Sequence, residues 1–226
     1  MVETSAGHGG QVMAGACQRT DRAPLALERR MRALVGAGIG GPGGAAAEAA
    51  VYHLDAGGSR VRARLALDAG AALGIEAEAR LSIAAACELF HNASLIHDDL
   101  QDEDPIRRGR EAVWSRHGSD MAVCAGDLML SAAYAALAGA GTQAGALVMH
   151  AHARVAAVIA GQCDDLSACA ADTDVSAYER IAAAKSGPLL SLPLELCLMA
   201  AGRTDHVERA VRAAERFAVG YQISDD

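Results

Sequence analysis

The carboxylates of Asp98, Asp99 and Asp102, the imidazole of His91 and the guanidinium groups of Arg107 and Arg108 fall within one stretch, Glu88 to Gly118, ELFHNASLIHDDLQDEDPIRRGREAVWSRHG. Asp98, Asp99 and Asp102 close an apolar helical run, Pro105 turns the chain, and Arg107 and Arg108 follow. Separations of seven and four residues return to one side of a helix with 3.6 residues per turn, so His91, Asp98 and Asp102 are expected close to one face. Carboxylates this close repel and raise one another's pKa unless a cation sits among them, and an all-oxygen donor set suits a hard divalent ion. Magnesium keeps waters and takes phosphate oxygens from a substrate, so the pattern points to a phosphorylated ligand held from the other side by the arginines. A bare DDxxD is as readily a solvated acidic helix end. The apolar approach, the helical His and the RRG beyond the turn favour the site.

This stretch resembles the first aspartate-rich motif of the trans-isoprenyl diphosphate synthases, which make geranyl, farnesyl, geranylgeranyl and longer polyprenyl diphosphates. The resemblance implies Mg²⁺ on Asp98, Asp99 and Asp102, with His91 and Arg108 on isopentenyl diphosphate and Arg107 on the allylic diphosphate. It also implies a chain-length pocket at Phe90, Ala93 and Ser94, where a small residue five positions before the first Asp leans toward a product longer than farnesyl. Ala93 is equally readable as a tight helix contact in an Ala-rich protein.

A second stretch, Asp55 to Arg64 (DAGGSRVRAR), has two glycines that expose backbone N–H groups and three arginines at the start of a helix. It resembles the family's GGKRxRP motif, with Arg62 at the final Arg. Ser59 stands at the Lys position and Ala63 at the Pro position. Losing a charge-assisted contact to a diphosphate costs roughly 1.5 to 3 kcal/mol, with Arg60 and Arg64 the residues that could restore charge.

Three further positions follow from the resemblance. Lys185, before Ser186 and Gly187, matches a lysine that binds the allylic diphosphate, although a surface lysine is the ordinary alternative. Gln162, before Asp164 and Asp165, is placed near the allylic diphosphate and its metals. Tyr221, Gln222, Asp225 and Asp226 match the start of the second aspartate motif, FQIxDDxxD, giving Gln222 as a substrate contact and Asp225 and Asp226 as metal ligands. Because that motif breaks off at Asp226, a fragment whose parent continues with two residues and then Asp is expected, with a natural short form as the competing reading. Gly126 and Asp127 resemble a further family pair and are assigned to packing.

These residues need helices to position them. The 226 residues are 52% hydrophobic with only 3% aromatic, and the Ala-rich pattern without alternating runs indicates an all-α antiparallel bundle. Residues 1–20 read as a disordered segment and 21–226 as one helical domain lacking its C-terminal helices. Helices are expected over 23–34, 45–53, 66–73, 83–100, 120–138, 146–166 and 207–223, with another starting at 176 and kinked by Pro188 and Pro193. A net charge of −8 argues against a nucleic-acid partner. Six cysteines with no CxxC pair read as buried small hydrophobes in a reducing compartment, and no apolar run is read as spanning a bilayer, so a cytoplasmic protein is expected; the family resemblance implies a homodimer. The chemistry implied is Mg²⁺-assisted ionisation of an allylic diphosphate and condensation with isopentenyl diphosphate. Two alternatives stand beside it: a terpene-cyclase-like lyase without the second substrate, and a non-catalytic partner subunit.

Overall fold

The computed structural model describes residues 22–37, 44–167, 175–214 and 216. Eight α-helices carry the described fold: α1 (Arg22–Gly36), α2 (Ala45–Asp55), α3 (Val61–Ala72), α4 (Ala77–Gln101), α5 (Val113–His117), α6 (Ser119–Ala138), α7 (Ala144–Ser167) and α8 (Val175–Ala200). A 3₁₀ turn at Thr204–His206 leads into a last helical stretch, described over 207–214.

α4 is the axis of the bundle. It packs against α6 most extensively, then α3, α8 and α1. A helix with neighbours on several sides must be apolar nearly all round, and Ile83, Ala84, Ala85, Ala86, Cys87, Leu89, Phe90, Ala93 and Ile96 are all buried. The run of alanines lets neighbouring backbones come close, while Phe90 fills the wider space and meets Tyr134 of α6 edge to face at 4.9 Å. α1 adds an amphipathic stripe at i, i+4 and i+8, with Leu27, Met31 and Val35 buried.

The elements depart from the expected ones in instructive places. α3 begins at Val61 rather than 66, so the arginines that read as an approach to the helix lie in its first turn. α4 starts at Ala77. α8 runs as one helix through both Pro188 and Pro193. Between α4 and α5 the chain forms a two-residue ribbon, β1 (Ile106–Arg107) against β2 (Arg110–Glu111), antiparallel with Arg107 opposite Arg110. Its two linking residues, Arg108 and Gly109, both have positive φ (54° and 74°), as a type I′ hairpin requires. The RRG sequence is therefore a tight turn that fixes two guanidinium groups, within an otherwise helical fold.

Of the four cysteines among the described residues, Cys87 and Cys197 are buried but Cys124 and Cys163 are exposed, which corrects the reading of all as buried. α6 and α7 are long and apolar enough, by length and composition only, to cross a membrane, which amends the absence expected from sequence. α6 directs much of that surface onto α4, whereas α7 leaves most of its own exposed.

Candidate active site

The last turn of α4 divides the three aspartates. One residue is 100° of helix, so Asp99 is turned well away from Asp98, while Asp102, three residues after Asp99, comes back to within about 60° of it. Asp99 is 1% exposed, and its Oδ1 accepts from Arg107 Nε at 2.7 Å and from Arg107 Nη2. The turn that brings Arg107 there is itself fastened: Asp104 N donates to the Asp99 carbonyl at 2.9 Å and Trp114 Nε1 donates to the Asp104 carbonyl at 2.8 Å. Asp99 raises the pKa of Arg107, while burial pushes the Asp99 carboxyl up against the pull of the guanidinium. The Asp99 carboxylate is thus bonded to Arg107 through Oδ1. Its other oxygen, Oδ2, is buried with no hydrogen-bond partner among the described residues.

Asp98 and Asp102 face a different partner. Gly161 of α7 lies against α8 so closely that a Cβ on it would sit 2.9 Å from the Ala184 carbonyl carbon. That approach sets Lys185 beside Asp165, with Nζ 3.1 Å from Asp165 Oδ2 and 4.0 Å from Asp102 Oδ2. Burial works against the charge on Lys185, but Asp98, Asp165 and Asp102 overcome it and its pKa rises. Asp98 is itself pushed up by burial, and Lys185 pulls it back. Lys185 is thus no ordinary surface lysine but the counter-charge of a three-carboxylate basin.

Asp165 is the site residue that the sequence reading passed over. Its signal was available: it lies three residues after Gln162, hence on the same face of α7. Gln162 is buried and donates through Nε2 to Gln101 Oε1 at 2.9 Å, joining α7 to the end of α4. Among the described residues no three Asp, Glu, His or Cys side chains form a ready-made metal cage. A pair of carboxylates one turn apart still suits a hard cation that completes its shell with water and phosphate oxygens. Tyr221, Gln222, Asp225 and Asp226 lie outside the described residues.

Two turns back along α4 is a cationic wall. The loop between α2 and α3 has Gly57 and Gly58 at φ 75° and 137°. Arg108 Nη1 donates to the Gly57 carbonyl, and a Cβ on Gly58 would lie 2.8 Å from Arg108 Cζ, so glycine is required for the guanidinium to lie on the loop. Arg60 is turned elsewhere: Nε donates to Glu28 Oε1 at 2.7 Å and Nη2 to the Leu54 carbonyl at 3.2 Å. Arg64 lines, with Arg60, Leu27 and Arg80, a groove of about 840 Å³ between α1 and α3. At two residues' separation, this face of α3 is turned about 200° from Arg62. Ser59, which is exposed, lines the same groove as Arg60 and Arg64.

His91 belongs to this wall rather than to the carboxylates. Seven residues before Asp98, it sits roughly 10 Å further down the helix axis, where burial and then the nearby Arg62 and Arg108 hold its pKa well below the usual histidine value. His53 of α2, which the sequence reading did not single out, is 3% exposed and lies 3.2 Å through Nε2 from Asn92 Oδ1. Since Asn92 Nδ2 donates to the Glu88 carbonyl at 2.7 Å, its Oδ1 accepts and His53 Nε2 has the proton. Burial, then Arg108, lowers the His53 pKa to about 4.

A histidine kept neutral in the fold but titrating near 6.5 when unfolded adds stability that is complete above pH 6.5 and lost as pH falls toward 4. His53→Gln is accordingly expected to flatten the stability profile between those values, by up to about 3 kcal/mol relative to wild type. Urea titrations at half-unit pH intervals measure this; parallel profiles would refute it.

Phe90 and Ala93 are buried, and Ser94 is half-buried with Oγ donating to the His91 carbonyl at 2.9 Å. A Cβ on Gly126 would collide with the His97 ring, whereas Asp127 is exposed, with Oδ1 3.6 Å from His97 Nε2.

Residues 45–226 match the model of the polyprenyl synthetase family, thus taking in the acidic helix end, the cationic loop and Lys185. The chain belongs to that family. It is 34% identical over 186 residues to a geranylgeranyl diphosphate synthase of Cyanophora paradoxa, covering 77% of this chain and 62% of that one. It is likewise 34% identical over 173 residues to a (2E,6E)-farnesyl diphosphate synthase of Mycobacterium tuberculosis, covering 75% and 48%. The chain thus spans about half to three fifths of the length of these family members. Among solved structures, a geranyltranstransferase from Thermotoga maritima superposes with a TM-score of 0.81 at 29% identity, covering 91% of this chain and 77% of that one. A geranylgeranyl pyrophosphate synthetase from Geoglobus acetivorans gives 0.82 at 28%, covering 92% and 68%. These likenesses agree with the all-α bundle expected for the family.

Proposed function

We propose that this protein is a prenyltransferase that condenses an allylic diphosphate with isopentenyl diphosphate to give a longer all-trans prenyl diphosphate. The observation that supports this reading is a pair of charged walls along α4: Lys185 among Asp98, Asp102 and Asp165 at its end, and His91 with Arg62 and Arg108 two turns earlier. One wall suits a metal-bound diphosphate and the other a diphosphate held by protein cations.

Asp98 and Asp102 would hold Mg²⁺, and the match to the second aspartate motif proposes Asp225 and Asp226 as further ligands. Bound there, Mg²⁺ supplies Lewis-acid stabilisation of the departing diphosphate. Lys185 is placed to exchange its carboxylate partners for diphosphate oxygens, donating to the charge that grows as the carbon–oxygen bond breaks. Arg107, braced by Asp99, lines the same side. Arg62 and Arg108 orient the second diphosphate, and neutral His91 can donate a hydrogen bond without adding net charge. The buried Phe90 and Ala93 belong to the dry side of α4, where an apolar tail is shielded from water. The small Ala93 favours geranylgeranyl or longer products.

α7 exposes Met149, Ala153, Ala156, Ala160 and Cys163 at spacings of four, three, four and three residues. Such a stripe packs closely on a second helix, which supports a homodimer built on this face. The exposed Cys124 and Cys163 accord with a reducing, cytoplasmic setting.

Ser59 favours a second reading, ionisation of one allylic diphosphate without condensation, because the second wall lacks its usual ammonium. Incubation with Mg²⁺, farnesyl diphosphate and labelled isopentenyl diphosphate separates the two. Labelled elongated products are expected; unlabelled hydrocarbon or alcohol would establish the lyase. Ser59→Lys is expected to lower the KM for isopentenyl diphosphate at least about tenfold, the equivalent of one charge-assisted contact. An unchanged KM would show that the position does not face that substrate.

A further inference from the structure

Glu88 is 2% exposed, near the middle of α4, and its charge favours the protonated Arg108 of the cationic wall. α3 has no side-chain cap of its own, because its N-cap is Arg60, which has no acceptor and is held in the left-handed region at φ 50°. The orphaned N–H of Ala63 in that first turn is taken by Glu88 Oε1 at 3.0 Å, from 25 residues further along the chain. A carboxylate at a helix N-terminus also meets the positive end of the helix dipole. Its other oxygen, Oε2, faces Arg60 Nη1 at 3.8 Å. One turn further along α4, Asn92 Oδ1 accepts a hydrogen bond from His53 Nε2 in the last turn of α2, and its Nδ2 donates to the Glu88 carbonyl. Successive turns of one helix thus grip both ends of the short loop, 56–60, that Arg108 lies upon.

We propose that Glu88 is a positioning residue, the pin through which α4 sets the α2–α3 loop and Arg62 at a fixed height relative to the carboxylates at its own far end. Glu88 touches no substrate and acts through Ala63, Arg60 and, by way of Asn92, His53. The role in catalysis rests on the two-diphosphate reading above, whereas the pin itself does not.

The experiment therefore has two arms on the full chain. In the first, amide hydrogen exchange of the peptide spanning Val61 to Ala66 is compared between wild type, Glu88→Gln and Glu88→Leu. Glu88→Leu is expected to speed exchange there at least tenfold, while Glu88→Gln, which keeps an acceptor for Ala63, stays within threefold. In the second, Glu88→Leu is expected to raise the KM for isopentenyl diphosphate at least tenfold, leaving kcat and the KM for farnesyl diphosphate within threefold. Unchanged exchange in Glu88→Leu would overturn the pin. Faster exchange with both KM values raised alike would overturn the positioning role, and no condensation even in wild type would overturn the two-diphosphate reading alone. Should Glu88→Leu not fold, Asn92→Leu cuts the α2 side only. It is then expected to speed exchange over 53–57 and raise the same KM, and slow exchange there would overturn the proposal.

Discussion

Asp98→Ala and Asp102→Ala are each expected to lower Mg²⁺-dependent turnover of an allylic diphosphate by roughly a hundred- to a thousandfold, as when one preorganised electrostatic contact to a leaving group is lost. The two residues are separated by one helical turn and share the Lys185 ammonium, so removal of either leaves a cation with one carboxylate from α4. Asp99→Asn marks the contrast. Its side chain points to Arg107 instead, and its replacement is expected to leave metal binding within about threefold. Titration of Mn²⁺ in the presence of inorganic diphosphate, followed by electron paramagnetic resonance, measures this without turnover. Equal losses from Asp98→Ala and Asp99→Asn would show that the aspartates act as one cluster. The pH dependence has a definite sign. Metal binding needs the carboxylate, and burial pushes Asp98 above the usual carboxylate range. Affinity should therefore begin to fall at a higher pH than for a free aspartate, and Lys185→Met should move that limb higher still, because Lys185 holds the Asp98 pKa down.

The sequence displayed the site better than its division of labour. Spacing alone placed Asp98 and Asp102 on one face, because helical periodicity is a local property. It did not separate Asp99, whose role depends on a hairpin bringing Arg107 back against α4, nor could an all-α reading foresee a two-residue ribbon. Lys185 was legible as a residue but not as a counter-ion, since its environment is created by the Gly161–Ala184 contact between α7 and α8. Arg60 looked like a spare cation for the loop, and a partner 32 residues earlier, Glu28, takes it. Glu88 and His53 left no mark at all. A polar residue inside an apolar run says only that something buried must satisfy it, and the partners, Ala63 and Asn92, lie 25 and 39 residues away.

Arg107→Leu is expected to cost about 3 kcal/mol of unfolding free energy, the usual scale for removing one partner of a buried ion pair. The asymmetry of exposure decides the sign. The Asp99 side chain is 1% exposed against 31% for Arg107, so loss of the arginine strands a carboxylate away from water. The other Asp99 oxygen has no hydrogen-bond partner among the described residues to take over. Replacing Asp99 instead leaves a guanidinium that reaches solvent more readily, so Asp99→Asn should cost less, about 1 to 2 kcal/mol. In Asp99→Asn/Arg107→Leu the stranded charge is gone, and the double variant should be at least about 1 kcal/mol more stable than the sum of the two single losses predicts. Urea midpoints at pH 7 for the four proteins close this cycle. Strict additivity, or an Arg107→Leu cost below about 0.5 kcal/mol, would mean that the pair is solvated in solution and that the RRG hairpin is held by Trp114 and the Asp104 turn instead.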